Sequence, residues 1–89
     1  MSKVINAANT FTDPVQPGRG FDLSLYANSS FSGTLTLQRR RVGETNWRDV
    51  KTYTGPAEEY GQSSGNWEYR LGCKTGNYTS GSITAEVSA

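Results

Sequence analysis

The feature that most constrains this chain is the spacing of its apolar residues, which recur at every second position. Phe21, Leu23 and Leu25 alternate with Asp22 and Ser24. Leu35 and Leu37 alternate with Thr34, Thr36 and Gln38. Trp67, Tyr69, Leu71 and Cys73 alternate with Glu68, Arg70 and Gly72, and Ile83, Ala85 and Val87 alternate with Thr84, Glu86 and Ser88. A period of two puts one set of side chains on one face of an extended strand, whereas a helix needs a period near 3.6. No stretch has the helical period. Turn formers separate the alternating runs: Pro17-Gly18-Arg19-Gly20, Asn28-Ser29-Ser30, Gly43-Glu44-Thr45-Asn46, Gly55-Pro56 and Ser63-Ser64-Gly65-Asn66. The pattern predicts an all-β fold, a small antiparallel β-sandwich of immunoglobulin-like or fibronectin-III-like kind with roughly six or seven short strands.

Within that plan, residues 1–20 are expected to form an N-terminal arm or edge strand, and residues 21–89 a single sandwich domain. Trp47, Val50 and Tyr53 are spaced by three, so a bulge after Trp47 is expected to restore the register. Gly55 to Gly65 is the one long connection. It carries Glu58, Glu59 and Tyr60 and is expected to be a mobile loop facing a partner.

Size and composition narrow the function. The chain has 89 residues, only 34% of them hydrophobic, with a mean hydropathy of -0.65. So lean a domain has a thin core and gains stability from neighbours. Aromatic residues reach 11%, which separates it from disordered chains. The net charge of +1 argues against a general grip on nucleic acid. No segment approaches the length of a membrane span, and the opening residues lack the apolar run of a signal peptide, so synthesis in the cytoplasm is expected. The single cysteine, Cys73, cannot form an internal disulfide and falls on the apolar side of its run, as a buried small hydrophobe. Two glycan acceptor patterns, at Asn28 and Asn77, are taken as accidental without a secretory signal.

Catalytic and cofactor chemistry find little support. Histidine is absent, which removes the commonest general acid–base and the commonest metal ligand. Glu58 and Glu59 are adjacent, whereas paired catalytic carboxylates face each other across a substrate. Asp22 and Asp49 fall on different strands. No metal or cofactor set is visible. Lys74-Thr75-Gly76-Asn77 brings a phosphate-binding loop to mind, but such a loop needs glycine directly before the lysine and a helix after it. Cys73 precedes Lys74, and alternating runs flank the stretch, so a β-hairpin bend is expected there.

Contact residues remain. Arg39-Arg40-Arg41 continues the Leu35–Leu37 strand. Its arginines either splay to both faces at a strand end or join Arg48 and Lys51 in a basic patch suited to an acidic protein surface. Tyr60 and Tyr78 fall in expected loops and could stack on sugar, while Trp67 and Tyr69 are assigned to the core. Phe11, in the arm, completes the candidate contact set of Arg39, Arg40, Arg41, Arg48, Lys51, Tyr60 and Phe11.

From Leu35 onward the chain resembles a known family. The resemblance is carried by Leu35-Thr36-Leu37-Gln38-Arg39, Trp47-Arg48-Asp49-Val50, Tyr53-Thr54, Tyr69-Arg70-Leu71-Gly72 and the stretch Lys74-Thr75-Gly76-Asn77-Tyr78-Thr79-Ser80-Gly81. These are similar to the small β-sandwich structural proteins of tailed phages and prophages. The chain departs from that pattern at its triple arginine, where one basic residue is usually followed by a small polar one. The resemblance implies a non-enzymatic virion component, first of all a capsid decoration (cement) protein. Its partners would be the major capsid protein or other virion proteins and further copies of itself, without nucleic acid or membrane. A tail- or fibre-associated module touching a host surface or sugar is the alternative.

Overall fold

The computed structural model describes Ser2–Ala89; Met1, part of the expected arm, lies outside the described residues. Among the described residues, eight strands form two antiparallel four-stranded sheets, and no helix is present: β1 (Ser2–Ile5), β2 (Thr10–Phe11), β3 (Gly20–Gly33), β4 (Leu35–Arg41), β5 (Arg48–Tyr53), β6 (Ala57–Gln62), β7 (Trp67–Cys73) and β8 (Tyr78–Ser88). One sheet runs β1-β8-β3-β6 and the other β2-β7-β4-β5. The architecture is the expected sandwich. Its strand order departs from that of an immunoglobulin domain, because β7 and β8 lie in different sheets, whereas the last two immunoglobulin strands are neighbours.

The alternating apolar residues meet between the layers. Leu23, Leu25, Ile83, Ala85 and Val87 from the first sheet oppose Leu35, Leu37, Tyr69, Leu71 and Cys73 from the second, all buried. Ile5 of β1 is buried as well, so the chain's opening strand contributes to the core. Phe21 stacks on Tyr69 with ring centroids 4.5 Å apart. The segment after β1 crosses to the other sheet, where β2 pairs with β7. It continues along β7 through reciprocal backbone hydrogen bonds between Val15 and Tyr69. Thr12 is buried there, its hydroxyl accepting from the Leu71 N–H at 3.1 Å.

Four local expectations are corrected. First, Asn28-Ser29-Ser30 is not a turn between strands. It lies inside the long β3, where the register against β8 slips around Ser29 and Ser30. Ala27 (φ 53°) and Ser30 (φ 54°) absorb the irregularity, and the Asn28 side-chain oxygen accepts from the Phe31 N–H at 2.8 Å. A bulge with a local side-chain hydrogen bond uses the same residues as a turn, which is why the sequence pattern did not separate them.

Second, Lys74-Thr75-Gly76-Asn77 does bend the chain, with the Asn77 N–H donating to the Lys74 carbonyl at 3.0 Å and Gly76 at φ 88°. It is an arch between sheets, though, not a hairpin. β8 leaves β7 and pairs with β3 and β1. The Thr34 N–H bonds the Asn77 carbonyl at 2.9 Å, which ties this arch to the β3–β4 crossing beside it.

Third, Gly55–Gly65 is not a mobile loop. It contains β6, an edge strand paired with β3 from Gly20↔Gln62 to Leu25↔Ala57. Fourth, the irregularity in β5 falls at Val50, between the pairs Leu37↔Lys51 and Gln38↔Asp49, rather than directly after Trp47. Val50 is the unpaired extra residue and is 48% exposed.

Candidate functional site: a guanidinium-rich sheet

The second sheet gathers the arginines, and strand alternation divides them. On β4, Arg39 and Arg41 share the side of Leu35 and Leu37, whereas Arg40 shares the opposite side with Thr36 and Gln38. The triple arginine therefore splays to both sides of its strand.

Arg39 and Arg41 pair in register with Tyr69 and Trp67 of β7. Their guanidiniums lie 4.0 and 4.8 Å from the Trp67 ring centre. The bulge at Val50 resets β5 so that Arg48 pairs with Arg39, bringing a third guanidinium to 5.6 Å from the same ring. Trp67 is thus partly buried at one end of the sandwich, packed against the core on the side its position in the alternation implies. Three guanidiniums lie over its ring. Arg48 has one carboxylate nearby, Glu44, at 3.8 Å with both side chains mainly exposed, a contact of little energetic weight. Among the described residues, neither Arg39 nor Arg41 has an ion pair. The end of the molecule therefore presents positive charge around an aromatic ring.

The outer face of the same sheet carries a second arrangement. Phe11 pairs with Gly72, whose missing side chain lets the Phe11 ring lie against the strand, where a Cβ would stand only 2.8 Å from the ring. The Arg70 guanidinium sits 3.9 Å from the Phe11 ring centre and 4.4 Å from that of Trp47. Arg40 lies 4.5 Å from Trp47 and bonds Glu68 at 3.0 Å. The result is a ladder of alternating rings and guanidiniums, each step favourable by about 0.5–1 kcal/mol where solvent reaches it. A polar chain supports the ladder: Arg70 donates to Gln38 (2.9 Å), Gln38 to Asp49 (2.9 Å) and Lys74 to Asp49 (2.8 Å). These contacts explain why Gln38, on an outward face, is buried. Lys74 and Gln38 hold the Asp49 carboxyl below the usual carboxylate range. Burial, and then the nearby Arg40 charge, lower the pKa of Arg70.

Lys51 does not join either group. It faces the interlayer edge and bonds Glu59 of β6 at 2.6 Å, and the Tyr53 hydroxyl donates to the same carboxylate at 2.7 Å. Glu59 shares the inward side of β6 with Ala57, so this carboxylate clasps the open edges of the two sheets together. Lys51 and Tyr53 hold its pKa below the ordinary value, and burial followed by Glu59 pushes the Tyr53 phenol upward. Glu58 turns to the opposite side, where Ser24 donates to it at 2.8 Å. The two adjacent acids thus serve different faces of a strand rather than a solvated turn.

Tyr60 is 86% exposed on the outer side of β6. Tyr78, expected to face solvent, is half-buried at the start of β8 and donates to the Gly81 carbonyl at 2.8 Å. Cys73 is buried, which raises its thiol pKa. Among the described residues, no group of three or more His, Cys, Asp or Glu is placed to hold a metal ion, and no helix is long and apolar enough to cross a membrane.

Sequence reasoning left Trp47 and Arg70 out of the candidate contact set. The available signal was parity: Arg70 alternates with Tyr69 and Leu71 and must face away from the core. Its ring partners come from β2 and from the segment before β5, so they needed the strand order. Comparison with protein-family models, curated proteins and solved structures returns no match for the chain.

Proposed function

We propose that this protein is a non-enzymatic structural component of a tailed-phage virion, a capsid decoration protein that docks by its Trp67 end on an acidic surface of the shell. The family resemblance from Leu35 onward supplies the class. The observation that carries the docking site is the cluster of Arg39, Arg41 and Arg48 around Trp67, with Arg39 and Arg41 unpaired among the described residues. Tryptophan and arginine dominate protein-interface hot spots, because a partly desolvated ring flanked by planar cations binds carboxylates with direction as well as charge. Symmetry on a shell multiplies a modest contact into firm attachment. The docking set differs from the one expected from sequence: Arg40 is committed to Glu68 and Trp47, and Lys51 to Glu59, which leaves Arg39, Arg41 and Arg48.

The test is co-sedimentation with expanded shells assembled from a tailed-phage major capsid protein. Wild type is expected to bind saturably and to raise the shell's melting temperature. The triple variant Arg39→Glu, Arg41→Glu, Arg48→Glu is expected to stay folded and lose binding. Equal binding by wild type and variant at low salt would refute the site. A folded wild type indifferent to shells would refute the function, and glycan binding abolished by Tyr60→Ala would favour the host-contacting tail module in its place.

A further inference from the structure

The outer face of the first sheet has the opposite character to the second. The registers place its outward side chains in three rows: Val4, Thr84 and Tyr26; Ser2, Glu86, Ser24 and Glu58; and Ser88, Asp22 and Tyr60. The rows contain three carboxylates and no lysine or arginine. They also hold three of the chain's exposed large hydrophobic or aromatic side chains, Tyr60, Val4 and Tyr26. The outer face of the second sheet presents Arg40, Arg70 and Lys74 against Glu68 and Asp49, with the rings of Phe11 and Trp47 between them. On that face Arg70 has no carboxylate partner among the described residues. Its Nε donates to Gln38, and among the described residues its two terminal nitrogens make no hydrogen bond or ion pair. A planar guanidinium held between two rings with its outer donors unused is already arranged to receive a carboxylate.

These two faces lie on opposite sides of one sandwich, so a single chain cannot bring them together. From this we infer that copies stack face to face, the Asp22/Glu58/Glu86 face of one chain covering the Phe11–Arg70–Trp47–Arg40 face of the next. The contact is heterologous, joining different surfaces of two identical chains, so it closes into a ring or runs on as a filament according to its angle. In the stack, Tyr60 and Tyr26 meet the aromatic ladder, and Glu58 and Glu86 meet the guanidiniums. The stack leaves the Trp67 end uncovered and on the same side of every copy related by the ring axis. This inference deepens the proposed docking, since standing copies would touch the shell with that end and one another with their faces. It is tested without any shell.

The two tryptophans make the experiment decisive, because Trp47 lies in the inferred contact and Trp67 outside it. Isotopically labelled full-length protein is followed by NMR from dilute to concentrated solution at low salt, with sedimentation velocity in parallel. The Trp47 indole N–H is expected to shift with concentration while that of Trp67 stays fixed, and the sedimentation coefficient is expected to rise. The variant Asp22→Lys, Glu58→Lys, Glu86→Lys changes partly or fully exposed side chains, and its fold is checked by the same spectrum. It should associate about tenfold more weakly or not at all. A wild type that remains monomeric throughout overturns the inference. So does association in which the Trp47 resonance does not move, or association unchanged in the lysine variant. Failure here leaves shell binding through Arg39, Arg41 and Arg48 to its own test.

Discussion

Trp67 and Leu71 occupy equivalent places in one alternating run of β7, and their truncation separates a surface role from a core role. Leu71 is fully buried between the sheets. Leu71→Ala should therefore cost about 2–5 kcal/mol, the transfer term plus the cavity left in a core that collapses only partly. A fully buried tryptophan would cost about 3–5 kcal/mol on the same change. Trp67 is partly buried against the core, so its area term falls somewhat below that, to about 2–3 kcal/mol. Loss of its guanidinium contacts adds about 0.5–1 kcal/mol for each contact that counts at an exposed site. Against this, Trp67→Ala opens no closed cavity, because water fills the place of the ring at the sandwich end. The two losses are therefore expected to be comparable, Trp67→Ala not clearly exceeding Leu71→Ala, despite the larger volume removed from tryptophan. Urea unfolding, followed by circular dichroism with the slope checked for two-state behaviour, measures both. In a domain of this size each kcal/mol corresponds to about 4–8 °C of melting temperature, so the ranking is readable by heat as well. If Trp67→Ala were clearly the more damaging, the ring would be core and the Trp67 end would lose its standing as a docking site. The same variant, folded, should fail to co-sediment with shells.

Two further outcomes follow from the edges of the sandwich. Lys51 and Tyr53 hold the Glu59 carboxyl below its unfolded value, so its contribution is present above the ordinary carboxylate range and lost as pH falls through the folded pKa. Thermal melts from neutral pH into acid should show wild type losing stability, with a shallower fall in Glu59→Gln; parallel curves would mean the clasp has no energetic role. At the arch, Gly76 has φ 88° and open space where a Cβ would be added, so Gly76→Ala should cost about 1 kcal/mol from backbone strain alone; an unchanged urea midpoint would refute that.

The sequence carried the layers of this fold plainly and its connections poorly. Leu23, Leu25, Leu35, Leu37, Leu71, Ile83 and Val87 are all buried where a period of two places them, because each strand buries one face against the opposing sheet. β6 escaped notice because an edge strand has little apolar face to show: its inward positions hold Ala57, Glu59 and Gly61, with the last lying against the Phe21 ring. The arch at Lys74–Asn77 could not be told from a hairpin, since the bend uses the same residues whichever sheet receives β8. That choice is made by the partners of Ile83, Ala85 and Val87, far away in the chain. The division of the triple arginine was legible from parity alone. Which basic side chains are neutralised was not, because Glu68, Glu59 and Asp49 come from other strands whose registers only the folded chain defines.

The most direct measurement is a cryo-EM map of shells carrying this protein. The account predicts small sandwiches standing on the shell, with the Arg39, Arg41, Arg48 and Trp67 end buried against capsid carboxylates. A map in which that end points into solvent, or particles on which the protein is missing while it sits among tail fibres, would contradict it.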